Sequence, residues 1–117
     1  MRKQARLRKG SDFARVHRHG RRWSDSLLTL RALANETDFS RLGFLVSRRV
    51  GEAVVRNRVK RRLREIARRE AVLKGWDLVF IARPATAGAS FEAIEAAVRG
   101  LLRRGKLYEP NRQQDGK

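Results

Sequence analysis

The stretch Arg41–Arg69, RLGFLVSRRVGEAVVRNRVKRRLREIARR, passes from a strand pattern to a helical one, and its reading decides the fold. Over residues 41–47, Leu42, Phe44 and Val46 fall on one face of a strand, and Gly43, Leu45 and Ser47 on the other. Gly51 breaks that alternation. A helix follows from about Glu52 to Val72, and Gly75 stands just beyond it as a helix stop. Between Arg48 and Arg69 lie ten basic side chains and two acidic ones. A folded element with that charge is best explained by a polyanion, RNA or DNA first.

A helical wheel separates the two jobs of this helix. At about 100° per residue, with Val55 at zero, Val59, Leu63 and Ile66 fall at about 40°, 80° and 20°. They form an apolar stripe for the core. Asn57, Arg61, Arg64 and Arg68 fall between about 180° and 240°, opposite that stripe. Arg56 and Lys60 flank the outward stripe on one side and Arg58 on the other, and for these three a role in supporting the fold is the competing reading. Arg62, at about 340°, lies near the core stripe and should snorkel. Glu65 precedes Arg69 by four residues, the favourable order for an ion pair. Solvated helix faces usually mix signs, and the outward stripe carries no carboxylate. A membrane-surface role is disfavoured because the apolar stripe is narrow and aliphatic, without interfacial aromatics.

Working outward, residues 1–10 are basic and extended. Ser11 is a candidate helix cap with Asp12 in the first turn. Phe13, Val16 and His17 share one helical face, and His19-Gly20 ends the helix. Leu27–Leu33 reads as a strand, with Leu28, Leu30 and Ala32 on one side. Asn35–Ser40 is a polar turn, so this strand and the one at 41–47 are expected to form an antiparallel pair. Residues 77–82, DLVFIA, form a nearly continuous apolar run that fits a strand buried on both faces. Arg83-Pro84 ends it, and residues 85–89 are loop-like. Ser90 caps a last helix striped by Phe91, Ile94, Val98, Leu101 and Leu102. Residues 106–117 are expected to fray. The class is α+β, helices on one small sheet in the order α-β-β(-β)-α-β-α. Residues 1–117 are expected to form a single RNA-binding domain with an ordered core of about 6–105.

The whole chain carries a formal net charge of +17, from 29 basic and 12 acidic residues. Self-repulsion at that charge destabilises a compact state until anions neutralise it. No cysteine is present, which excludes disulfides and thiolate metal sites. No apolar stretch is long enough to span a membrane, and a cytoplasmic location is expected. His17 and His19, without a carboxylate partner, are a weak metal pair. Trp23 and Trp76 read as packing residues. The carboxylates are scattered, which disfavours a metal-dependent nuclease site on this chain.

The segment Arg56–Glu65, RNRVKRRLRE, resembles the "RNR" signature of the bacterial ribonuclease P protein subunit. The resemblance extends to RLRKGSDFARVHRHG, to RLGFLVSRRVGEAVVRN and to DLVFIARP, over roughly residues 6–104. It implies an accessory subunit of an endoribonuclease whose catalyst is an RNA. That subunit binds the catalytic RNA and the 5′ leader of precursor tRNA, and aids Mg²⁺-dependent removal of the leader. The metal would be held mainly by the RNA, and no catalytic residue is expected on this chain. The family fold resembles the second domain of ribosomal protein S5, with a left-handed βαβ crossover at the basic helix. Nothing in the sequence itself suggests that hand, because the default is right-handed.

By the same resemblance, Arg56, Asn57, Arg58, Lys60, Arg61 and Arg64 occupy RNA-contacting positions. Arg48, Arg49 and Arg68 join them as candidate phosphate contacts. Phe13 matches a position lining the leader cleft, where its role would be base stacking. A core aromatic is the competing reading. His17 stands where relatives often carry an aromatic, and Thr29 and Arg31 where the sheet would face the cleft. An arginine at position 31 would shift that cleft from stacking towards charge. The alternative function is a structural RNA-binding protein, such as a ribosomal protein.

Overall fold

The computed structural model describes residues 4–110. Five strands form one sheet: β1 (Gln4–Arg6), β2 (Arg21–Ser24), β3 (Leu28–Ala34), β4 (Ser40–Leu45) and β5 (Trp76–Ala82). Three helices join them: α1 (Gly10–His19), α2 (Ala53–Arg68) and α3 (Phe91–Arg104), with a 3₁₀ turn at Pro84–Gly88. The sheet order is β1-β4-β5-β3-β2. β1, β4 and β5 run parallel to one another, and β3 is antiparallel to both β5 and β2.

The expected pairing of the strands around residues 27–33 and 41–47 is therefore wrong: β5 lies between β3 and β4. β5 is apolar on both faces, and the centre of the sheet is where both faces can be buried. Leu78, Phe80 and Ala82 join Leu28, Leu30, Ala32 and Leu42 beneath α2 and α3. Val79 and Ile81 face the opposite side, where they pack with Leu7, Phe13, Val16 and Leu33 under α1. The sheet is thus covered by α1 on one side and by α2 and α3 on the other.

Other boundaries differ for local reasons. β2 went unseen because it is four residues long with one apolar member, Trp23, which packs against the main core. α1 starts at Gly10, and Ser11 lies inside the helix rather than capping it. The Lys9 carbonyl accepts from the Asp12 and Phe13 amides as the chain turns out of β1. α3 starts as expected, with the Ser90 hydroxyl accepting from the Ala93 amide at 3.0 Å.

α2 stops at Arg68, four residues before Val72. There Glu70 turns inward and accepts hydrogen bonds from the Tyr108 hydroxyl at 2.6 Å and from Arg99 at 3.3 Å. Val72 bridges Tyr108, Leu73 donates to the Leu107 carbonyl, and Leu107 is fully buried. Residues 107–109 are therefore pinned rather than frayed, while 111–117 lie outside the described residues. Among the described residues no helix is long and apolar enough to cross a membrane.

Candidate nucleic-acid interface

The wheel's core stripe is where it was expected: Val59, Leu63 and Ile66 are buried. The basic residues around it divide into two groups by what they bond. Arg56 donates to the Gly51 carbonyl at 3.1 Å, Arg58 to Ala87 at 3.3 Å and Arg62 to Ala89 at 3.1 Å. These three guanidiniums tie α2 to its own lead-in and to the turn before α3. Arg68 and Arg69 both reach the Glu65 carboxylate. Asn57, Lys60, Arg61 and Arg64 make no side-chain hydrogen bond or ion pair among the described residues. Asn57, Arg61 and Arg64 are exposed and Lys60 is half-buried. Arg48 and Arg49 stand exposed on the turn between β4 and α2.

Two halves of the expected site meet in one cleft. Lys60 and Arg64 from α2 line it together with Arg6, Leu7, Phe13, Gly43 and Phe44. Phe13 is half-buried, and its ring lies flush on the backbone of Gly43: a Cβ there would stand 2.5 Å from a ring carbon. Only glycine admits the ring at that depth.

The rest of the expected cleft is built differently. His17 is exposed at the C-terminal end of α1. Arg31 donates to the His17 carbonyl at 3.1 Å, and its buried Nε finds no partner among the described residues. Thr29 is buried, with its hydroxyl 3.1 Å from that of Ser24. Arg31 thus clasps α1 to the sheet, and Thr29 lies beneath the surface.

The orientation of α1 rests on a group absent from the expectations. Asp77 is fully buried. Its carboxylate accepts from Arg41 Nε at 2.8 Å and from the Arg41 terminal nitrogen at 2.6 Å. Arg15 on α1 donates to it at 3.2 Å, and Asn35 at 2.8 Å. Asp12 adds a second contact to Arg41 at 3.5 Å. The hydrogen bond to Asp77 raises the Arg41 pKa above its ordinary value; burial opposes this, and the charges of Asp77 and Asp12 reinforce it. The one available signal was an aspartate opening an otherwise apolar strand, since such residues are almost never buried unpaired. Arg6 and Gly43 were likewise missed.

Among the described residues no three His, Asp or Glu side chains gather as a metal-binding group. The side chains that line the cleft, Arg6, Lys60, Arg64 and Phe13, are of the kinds that suit phosphate contact and base stacking.

Known proteins resemble this chain over most of its length. The family model for ribonuclease P matches residues 1–106. The ribonuclease P protein component of Roseiflexus castenholzii is 46% identical, over 93% of this chain and 92% of that one. The corresponding protein of Clostridioides difficile is 40% identical, over 84% and 89%. Among solved structures, the Staphylococcus aureus RNase P protein superposes with a TM-score of 0.81 at 28% identity, covering 89% of this chain and 97% of that one. The Thermotoga maritima RNase P protein gives 0.78 at 33% identity, covering 85% and 96%. The chain belongs to the ribonuclease P protein family.

Proposed function

We propose that this protein binds both the catalytic RNA of ribonuclease P and the 5′ leader of precursor tRNA, and so assists Mg²⁺-dependent release of the mature 5′ end. The observation that carries this reading is the division of labour on α2. Among the described residues Asn57, Lys60, Arg61 and Arg64 are left uncommitted, while Arg56, Arg58 and Arg62 hold the fold together. Arginine forks and a lysine on one rigid helix can meet successive phosphates without first breaking bonds to the protein. Arg48 and Arg49 extend the same charge towards the preceding turn. Phe13 supplies a stacking face at the edge of that surface.

Hydrolysis of a phosphodiester at neutral pH is served by bound metal that activates water and stabilises the leaving oxygen. The best-buried carboxylates here are already held: Asp77 by Arg41 and Arg15, Glu70 by Tyr108 and Arg99. The reading therefore assigns Mg²⁺ to phosphates of the RNA partner. The protein's part is to neutralise crowded phosphates and hold the leader beside them.

Reconstitution tests this reading. The purified protein alone should leave precursor tRNA intact. Added to its catalytic RNA, it should raise cleavage at low Mg²⁺. No gain over the RNA alone across a range of salt concentrations would refute the proposal.

A further inference from the structure

Beside the cleft at Phe13 lies a second groove that no expectation from sequence included. It encloses about 660 Å³, within the usual range of small-ligand sites, about 300–1,000 Å³. Gln4 and Arg6 of β1 form one wall, Arg64 and Arg68 of α2 the other, and Leu42 and Phe44 of β4 the floor. Among the described residues no carboxylate lines it. Phe44 is half-buried. Its ring lies nearly parallel to that of the fully buried Phe80, with centroids 5.9 Å apart and planes at 12°. Phe80 thus packs against Phe44 in an offset stack, and Phe44 in turn lines the groove. Arg6, Phe44 and Arg64 also line the cleft at Phe13, so the two spaces are contiguous.

We infer that this groove is a nucleotide subsite for the single-stranded leader of precursor tRNA, with Phe44 as the base platform and Arg6 and Arg64 as phosphate contacts. An aromatic floor between cationic walls is the arrangement that holds an unpaired base and its backbone. Single strands can splay a base into such a space at little cost, and paired RNA cannot. Contiguity with Phe13 makes the leader the occupant, since one strand then runs through both spaces. The inference rests on the function proposed above.

The test uses the holoenzyme reconstituted with the cognate catalytic RNA. Precursor tRNAs carry one abasic nucleotide at successive leader positions, and the Kd is measured for each. With wild-type protein, at least two positions should show weakened binding, by about 5- to 50-fold. Phe44→Leu should flatten one of them and Phe13→Leu another, while Phe44→Tyr, which keeps the ring, should restore the first. An unchanged profile in Phe44→Leu overturns the inference. So does a loss of affinity for the catalytic RNA when precursor tRNA is absent, which would put a nucleotide of that RNA in the groove. If Phe44→Leu folds poorly, Arg6→Ala reads the same site: it should weaken leader binding about 3- to 10-fold, and equal affinity overturns the assignment. If the Phe44 result is negative while wild-type protein still stimulates cleavage, only the groove assignment falls. Failure of the wild-type protein to stimulate removes both.

Discussion

Arg41 grips both oxygens of the buried Asp77 carboxylate, at 2.8 and 2.6 Å, and Arg15 on α1 reaches the same group at 3.2 Å. The pair joins β4, β5 and α1 at one point and so fixes the helix that carries Phe13. Asp77→Asn would leave two guanidiniums facing a neutral amide. Breaking a buried pair from one side costs about 3–5 kcal/mol. Arg41 and Arg15 keep some water contact, so a loss of about 2–3 kcal/mol is expected here. Urea unfolding of the variant should show it as a lowered midpoint at unchanged slope.

Gly43 carries a prediction about function rather than stability alone. Gly43→Ala places a methyl group where the Phe13 ring now lies, 2.5 Å from its nearest carbon. The ring must move, and the cleft between it and Lys60 and Arg64 changes shape. Leader binding should weaken by about tenfold if one stacking contact of about 1–3 kcal/mol is impaired. Affinity for a precursor with a one-nucleotide leader is the reference. Equal losses for long and short leaders would mean that Phe13 does not touch the leader.

Much of this is legible in the sequence. Val59, Leu63 and Ile66 announce their burial by helical spacing, and the apolar run after Asp77 announces a strand buried on both faces. What periodicity cannot report is strand order, because pairing between distant segments is settled by total burial. That is how β5 came to separate β3 from β4. Nor can it report which arginines are engaged. The wheel sets Arg58 on the flank and Arg61 on the outward stripe, but it cannot report that Arg58 finds the Ala87 carbonyl of a turn 29 residues away. The groove at Phe44 was hidden for a similar reason: β1, which walls it, has only three residues.

The C-terminal clasp predicts alkaline sensitivity. Burial first, then the hydrogen bond to Glu70 and the Glu70 charge, raise the Tyr108 pKa well above its ordinary value of 10.0; Arg103 and Arg99 partly offset this. A tyrosine with a raised folded pKa contributes stability that is complete below the unfolded value and declines as pH rises through the interval above it. Stability should therefore fall as pH climbs past about 10. Tyr108→Phe should remove that part of the slope and cost about 1–3 kcal/mol at neutral pH by leaving Glu70 with one partner fewer. Identical pH profiles for the two proteins would show that the clasp does not contribute.

The division on α2 makes the sharpest prediction, because neighbouring arginines should fail in opposite ways. Arg61 and Arg64 hold nothing among the described residues, so replacing both with Ala should leave the unfolding midpoint nearly unchanged. Their loss should flatten the dependence of RNA affinity on salt by about 0.7–0.9 logarithmic units for each phosphate contact removed. Arg58 and Arg62 each donate to a backbone carbonyl near the start of α3. Replacing those two should lower stability by about 1–3 kcal/mol, through the lost bonds and the packing of their stems. Once that loss is offset by working well below the midpoint, the salt slope should stay closer to wild type than in the Arg61/Arg64 variant. Titrations of all three proteins against the catalytic RNA at several salt concentrations, with thermal melts of the same samples, separate these outcomes. Equal slopes in the two double variants would mean that bonding within the protein does not decide which arginines meet RNA.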